Sequence, residues 1–323
     1  MLLSQCAMPP RTAAHVQFCR SNRPMNTLAN STFAYVSSLR KQRDITRPLI
    51  LITNDDSIAS PGLYAAVRAV GDLGEVVVVA PRHQYSNASR CHPPSARRDR
   101  SPAERVTLPA DCPAVAAYAV DGSPAQAVAR AWIELLTRLP DLVISGINYG
   151  ENLGSGTTIS GTVGAAIEAA CVGIPALAVS LQTHPDFHYS PSEQVDFRAA
   201  AHFTRLFAQA VLAGALPADV DILKVDVPAD ATPETPWRVT RVSRQPYYVP
   251  VIPHEPPTRD LSTPDYRIEI EPETLEPDSD IYALVIAREV SVCPLSIDLS
   301  SQVDRRQLAQ LLAERTGARQ ARF

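Results

Sequence analysis

The stretch Leu49-Ile50-Leu51-Ile52-Thr53-Asn54-Asp55-Asp56-Ser57-Ile58-Ala59-Ser60-Pro61-Gly62 decides the fold. Its first four residues are apolar without alternation, the pattern of a parallel strand covered on both faces. Asn54, Asp55 and Asp56 stand where that strand ends. Neighbouring carboxylates repel, and each disfavours ionisation of the other. A divalent cation removes that cost, and oxygen-only ligands suit Mg²⁺, Mn²⁺ or Ca²⁺ rather than Zn²⁺. Open α/β sheets bind ligands at the carboxyl ends of their strands. The stretch therefore predicts a first strand with a metal site at its end. The alternative local reading makes Asn-Asp-Asp a turn or a helix cap.

Downstream, Pro61 and Gly62 open a helix whose stripe is Leu63, Val67 and Val70. Glu75 to Ala80 is a second apolar strand, which completes a βαβ unit. A polar loop follows Pro81. Ser123 and Pro124 start a helix that buries Val128, Trp132, Leu135 and Leu139. Strands are predicted at Leu142 to Asn148, Ala176 to Leu181 and Ile222 to Val227. Helices are predicted at Val163 to Cys171 and Ser192 to Ala213. The alternation implies an α/β fold with a Rossmann-like, doubly wound, mostly parallel sheet over residues 47–228.

Beyond Pro228 the chain is Pro-rich. Arg238 to Val242 and Tyr266 to Ile270 alternate, as exposed antiparallel strands do. Ile281 to Ile286 and Glu289 to Cys293 read as strand pieces, and 302–317 as a closing helix. Residues 229–323 are expected to form an antiparallel β-arm and helix that either holds subunits together or caps its own subunit. Residues 1–46 show no period and no acid before Asp44. They are expected to be a disordered arm, a transit peptide, or an extension upstream of a later start at Met25.

Six of the 30 Lys and Arg lie in the first 43 residues, so the remaining 24 face all 34 Asp and Glu. That acidic body argues against a nucleic-acid duplex as partner. Six Cys stand singly with no CxxC pair, which argues against structural zinc and for a reduced, cytoplasmic setting. No apolar run approaches the ~20 residues of a membrane span.

Three loops should meet at the carboxyl edge of the sheet, carrying Asn54, Asp55 and Asp56, then Ser86, then Asn148. Two carboxylates, a hydroxyl and an amide oxygen make a hard-cation shell that leaves room for water and substrate. Ser160, Gly161 and Thr162 place hydroxyls and free amides at a helix N-terminus, an anion site. A divalent ion beside an anion site points to phosphate ester chemistry.

These blocks resemble the SurE family of metal-dependent nucleoside monophosphate phosphatases, over about 48–317. The resemblance is carried by Ile50 to Asp56 with Pro61 and Gly62, by Val79 to Pro81 with Ser86, and by Asp141 to Asn148 with Gly150, Asn152 and Gly154. Ser160 to Val163 and Gly173 to Ser180 extend it. It implies metal ligation by Asp55, Asp56, Ser86 and Asn148, with one divalent ion, Mg²⁺ or Mn²⁺, per subunit. Ser160, Gly161 and Thr162 would contact phosphate, with Asn54 and Asn152 as further substrate-binding candidates. Asp55 or Asp56 would orient the attacking water. The implied substrates are 5′-nucleoside monophosphates, with 3′-esters, other small phosphate esters and short polyphosphate as extensions. A C-terminal arm at roughly 240–275, exchanged between subunits, implies a homodimer or homotetramer.

The chain departs from the family pattern at Ser57, where Gly is usual, at Arg82-His83, where Asp-Arg is usual, and at Asn87, where Gly is usual. If those Gly positions need positive φ, Asn87 tolerates it better than Ser57. His83 is either a group acting on the leaving oxygen or a solvated loop histidine. A haloacid-dehalogenase-type nucleophile needs Asp-x-Asp, and Ser57 breaks that spacing. A catalytically silent metal- or nucleotide-binding relative is the non-enzymatic alternative.

Overall fold

β1 (Leu49–Thr53) is the fourth strand across a nine-stranded sheet in a computed structural model of the chain. The structure describes residues 32–40, 47–92, 101–188, 192, 194–251 and 266–317. After β1 come α2 (Pro61–Val70) and β2 (Glu75–Pro81), preceded in the chain by α1 (Thr32–Arg40). β3 (Glu104–Val106), β4 (Ala116–Val120), α3 (Pro124–Arg130), β5 (Leu142–Tyr149) and α4 (Gly161–Ala170) follow. Then come β6 (Ala176–Leu181), α5 (Arg198–Leu212) and β7 (Ile222–Val227). The remaining elements are β8 (Trp237–Val239), β9 (Tyr248–Pro250), β10 (Tyr266–Ile268), β11 (Val290–Leu295) and α6 (Arg305–Thr316).

The order across the sheet is β3-β4-β2-β1-β5-β6-β7-β11-β8. β4, β2, β1, β5, β6 and β7 all run parallel. From β1 the chain winds first toward β2 and β4, then returns to β5 on the other side. The direction of winding therefore reverses between β1 and β5, and that is where open α/β sheets leave a ligand crevice.

Alternate residues of β1 feed two cores. Ile50 and Ile52 pack with Leu63 and Val67 of α2 and Phe203 and Phe207 of α5. Leu49 and Leu51 pack with Val128 of α3 and Val163 of α4. Being buried on both faces, β1 carries no charged side chain, and Asp55 and Asp56 stand just past its end.

Several elements differ from the sequence reading. Residues 32–40 are helical, not unstructured, and bury Val36 and Leu39 against the second core. Arg40 Nη2 anchors that helix on the Val172 carbonyl at 2.6 Å. Two apolar residues three apart are too short a signal to read as a period. The rest of 1–46 lies outside the described residues. β4 was not predicted, because its Ala-Ala-Tyr-Ala-Val sequence has little β-branched content. Tyr282–Ile286 is a π-helical turn rather than a strand, with Ile281 and Leu284 buried in a small third core. A short apolar run does not distinguish the two states by period. α5 begins at Arg198, not at 192, where Asp196 Oδ1 accepts the Arg198 N–H at 2.9 Å.

The sheet also continues past residue 228. β11 adds to β7 antiparallel, and β8 adds to β11 in parallel, so Trp237–Val239 is an edge of the main sheet rather than part of an antiparallel pair. β9 and β10 do form an antiparallel ribbon. The intervening residues 252–265 of the expected arm lie outside the described residues. No helix among the described residues is long and apolar enough to cross a membrane. The four described cysteines, Cys91, Cys112, Cys171 and Cys293, are free thiols.

Candidate active site

The crevice at the β1/β5 reversal holds a cavity of about 470 Å³. Asp55, Ser86, Asn148, Asn152 and Ser160 all line it. Three separate loops thus bring five of the predicted residues to one place. β5 delivers Asn148 through a register shift between Ser145 and Asn148, a bulge that re-aims the strand end. Asn148 Nδ2 donates to the Gly150 carbonyl at 2.7 Å, which fixes the direction of its amide.

Asp55 and Asp56 are 4% and 2% exposed. Asp55 Oδ1 accepts the Thr162 hydroxyl at 2.6 Å. Asp56 Oδ2 accepts the Tyr149 N–H at 3.2 Å, and Oδ1 faces Gln84 Nε2 at 3.3 Å. Burial raises the Asp55 carboxyl to about 6 despite the Thr162 hydrogen bond. Burial raises Asp56 as well, and the Asp55 charge adds to it. Among the described residues no Lys or Arg pairs with either acid. Two buried carboxylates that resist ionisation and lack a cationic side chain fit a bound divalent cation. The hydroxyl and amide of Ser86 and Asn148 on the same cavity suit a hard ion. No group of three or more His, Cys, Asp or Glu stands together among the described residues.

The other predicted residues, Asn54, Asp56, Gly161 and Thr162, do not line the cavity. Asn54 is buried, with Nδ2 donating to the Ser57 carbonyl at 3.0 Å and Oδ1 without a partner. Ser160 caps α4, its Oγ accepting the Val163 N–H at 3.1 Å. Thr162 is fully buried and spends its hydroxyl on Asp55. A Cβ on Gly161 would come within 2.7 Å of Asp55 Oδ2, so glycine lets the positive end of α4 approach that acid. Gly161 and Thr162 thereby position Asp55 in this structure, whereas Ser160 faces the cavity.

Sequence reading missed Gln84. Its Nε2 lies 2.9 Å from Ser86 Oγ and 2.5 Å from the His188 carbonyl, besides Asp56, so it ties two of the three loops together. An isolated Gln in a polar loop carries no motif to reveal this. Also missed were Glu151, His188, Tyr248 and Tyr266, which line the same cavity.

The family model for Survival protein SurE matches residues 50–248. The chain belongs to the SurE family. The 5′-nucleotidase SurE of Thermococcus gammatolerans is 43% identical over 270 residues, covering 81% of this chain and 95% of that protein. The 5′-nucleotidase SurE of Archaeoglobus fulgidus is 39% identical over 261 residues, 79% of this chain and 94% of that protein. The crystal structure of the SurE protein from Aquifex aeolicus matches with a TM-score of 0.60 at 30% identity, over 83% of this chain and 99% of that one.

The departures from the SurE pattern have structural counterparts. Ser57 sits at φ 101° and Asn87 at φ 60°, so both do occupy backbone that favours glycine. Asn87 is suited to its position, whereas Ser57 is strained. Ser57→Gly is expected to raise stability by about 1 kcal/mol, after the entropy that glycine adds to the unfolded chain. Denaturant unfolding in EDTA measures it, and an unchanged or lower midpoint would refute the strain. Arg82 pairs with Glu104 at 2.7 Å and Asp121 at 3.1 Å, and His83 is exposed, so neither lines the cavity.

Proposed function

We propose that this protein is a divalent-metal-dependent phosphatase that hydrolyses nucleoside monophosphates to nucleoside and phosphate. The observation that carries this reading is the buried Asp55-Asp56 pair at the β1/β5 reversal, without a cationic partner among the described residues, from which Asp55 opens with Ser86 and Asn148 into one cavity. The nucleotidase names of relatives that span most of the chain support it. Asp55, Asp56, Ser86 and Asn148 would hold one Mg²⁺ or Mn²⁺ ion per subunit. When bound, such an ion supplies positive charge that polarises a phosphoryl group and acidifies water.

The chain's own residues do the rest. Thr162 and Gln84 hold the two carboxylates in place, and either acid is set to accept a hydrogen bond from the attacking water and so orient it. Asn152 and Ser160 face the cavity as polar contacts for the phosphoryl oxygens. The Asn152 N–H is held by Asp226 Oδ1 at 2.8 Å, and its Nδ2 donates to Ser180 Oγ at 2.8 Å, so the residue is fixed before substrate arrives. Action on 3′-esters and on short polyphosphate, a cytoplasmic setting, and assembly as a homodimer or homotetramer through residues 229–323 complete the proposal.

Phosphate release from 5′-AMP is expected with Mn²⁺ or Mg²⁺ and is expected to vanish in excess EDTA. Full activity in EDTA would overturn the metal requirement. Metal binding without any phosphate release would favour the silent, nucleotide-binding alternative.

A further inference from the structure

Gln84 stands between two of the loops that build the site and a third segment that walls it. Its Nε2 lies 2.5 Å from the His188 carbonyl, 2.9 Å from Ser86 Oγ and 3.3 Å from Asp56 Oδ1. A carbonyl only accepts, so the atom that faces it is the amide nitrogen and not the amide oxygen. That NH₂ group has two hydrogens to offer to three acceptors. The shortest contact marks the anchor. One hydrogen goes to the His188 carbonyl, and the other is shared by Ser86 Oγ and Asp56 Oδ1. Those oxygens belong to two of the residues assigned above to a divalent ion. Gln84 itself does not line the cavity.

Both ends of this bridge matter. The anchor end is firm, because the His188 N–H donates to the Pro185 carbonyl at 3.0 Å and its ring Nδ1 lies 2.6 Å from the Tyr266 hydroxyl. At the other end, Ser86 is exposed, so packing leaves its hydroxyl several staggered positions. An N–H donated to Ser86 Oγ favours one of them. It occupies one lone pair and leaves the second free to face a cation. Asp56 is steadied in the same way. Tyr149 N–H holds Oδ2 at 3.2 Å, and Gln84 supports Oδ1.

The backbone of the loop is held by other bonds. The Tyr85 N–H donates to the Asp55 carbonyl at 2.7 Å, and the Ser89 N–H to the Ile159 carbonyl at 2.9 Å. Removing the Gln84 amide therefore frees two side chains without releasing the loop that carries one of them.

We propose that Gln84 is a positioning residue for the metal-dependent reaction: anchored on the His188 carbonyl, it fixes Ser86 Oγ and Asp56 Oδ1 in place before a cation arrives. The proposal rests on the metal-dependent reading above. Groups that orient metal ligands without touching the metal commonly govern affinity by about 10–100-fold.

The test is calorimetric titration of Mn²⁺ into the full chain. Gln84→Met keeps the length and bulk of the side chain and removes both donors. Mn²⁺ affinity is expected to fall at least ~10-fold, while the melting temperature in EDTA stays close to that of the parent. A merely structural role would show the reverse, an earlier melt in EDTA with Mn²⁺ affinity kept.

Ser86→Ala supplies the second arm. It retains both carboxylates, so its weaker binding stays measurable at millimolar Mn²⁺. In that background Gln84→Met is expected to cost at most ~3-fold, because one of the two oxygens it holds is gone and contacting residues are not additive. Full additivity would overturn the proposal, and so would a folded Gln84→Met variant that binds Mn²⁺ within twofold of the parent. Either result leaves the metal reading standing, since the parent still binds the ion. A parent that binds no Mn²⁺ and releases phosphate from 5′-AMP in EDTA would refute the metal reading and this proposal with it.

Discussion

Asp56→Asn is expected to cut phosphate release at saturating Mn²⁺ by at least ~10²-fold, the order lost when one preorganised electrostatic group is removed. The fold should survive. Asp56 lies past the end of β1, so the change leaves the Leu49–Ile52 packing untouched, and the new amide oxygen can still accept the Tyr149 N–H. Stability without metal should be equal or higher. Both acids are raised by burial, and Asp56 is raised further by the Asp55 charge. A carboxyl whose folded pKa lies above its unfolded value binds more protons in the native state, so it lowers stability as pH rises between the two. For Asp55 that window runs from the ordinary 3.8 to about 6. Replacing Asp56 with a neutral amide removes its own share and relieves its neighbour. In EDTA, the variant should therefore lose less stability between pH 4 and pH 7 than the parent does. Mn²⁺-dependent phosphate release and melts in EDTA at both pH values decide it. Parental turnover, or a lower melting temperature at pH 7, would sink the account.

The legible part of this molecule is the part where residue type and position coincide. β1 and β2 announce themselves as apolar runs without alternation, because a parallel strand buries both faces, and β5, β6 and β7 as mainly apolar runs interrupted by Ser145, by Ser180, and by Lys224 and Asp226. Asp55, Asp56, Ser86 and Asn148 stand just after such runs, so strand ends placed them. The hidden part depends on side chains whose effect is longer in space than in sequence. β4 carries three alanines, and the sheet accepts them because β2 beside it supplies bulk from Val76 to Val79. Thr162 reads as a phosphate contact at a helix N-terminus, but its hydroxyl turns to Asp55 from 107 residues away. The C-terminal stretch reads as a separate arm because its strands are short. β11 nevertheless buries Val290, Val292 and Cys293 against the main sheet.

Lys224→Met is expected to destabilise the protein by about 3–5 kcal/mol, the range for stripping one partner from a buried ionic cluster. Lys224 is fully buried in β7, with Nζ 2.6 Å from Asp226 Oδ2, 3.0 Å from Asp280 Oδ2 and 2.8 Å from the Asn152 carbonyl. Burial works against the ammonium, but the charges of the two carboxylates outweigh it and hold its proton. Those carboxylates in turn organise backbone. Asp226 accepts the Asn152 N–H at 2.8 Å, and Asp280 accepts the N–H groups of Gly154 at 3.1 Å and Ser243 at 2.9 Å. Lys224 therefore joins the sheet, the cavity loop at 150–156 and the segment after β8. Methionine fills similar volume but leaves two acids buried without a cation, so one must take up a proton or the loop must open. Opening displaces Asn152 from the cavity, and KM for a nucleotide should rise along with the loss of stability. If uncompensated charge is the cause, Asp226→Asn and Asp280→Asn added to Lys224→Met should restore much of the lost stability, since the amide oxygen at 226 still accepts the Asn152 N–H and the one at 280 still accepts the Ser243 N–H. Denaturant unfolding of the single and triple variants measures both. A single variant within 1 kcal/mol of the parent, or a triple variant no more stable than the single, would show that the cluster does not hold the loop through charge.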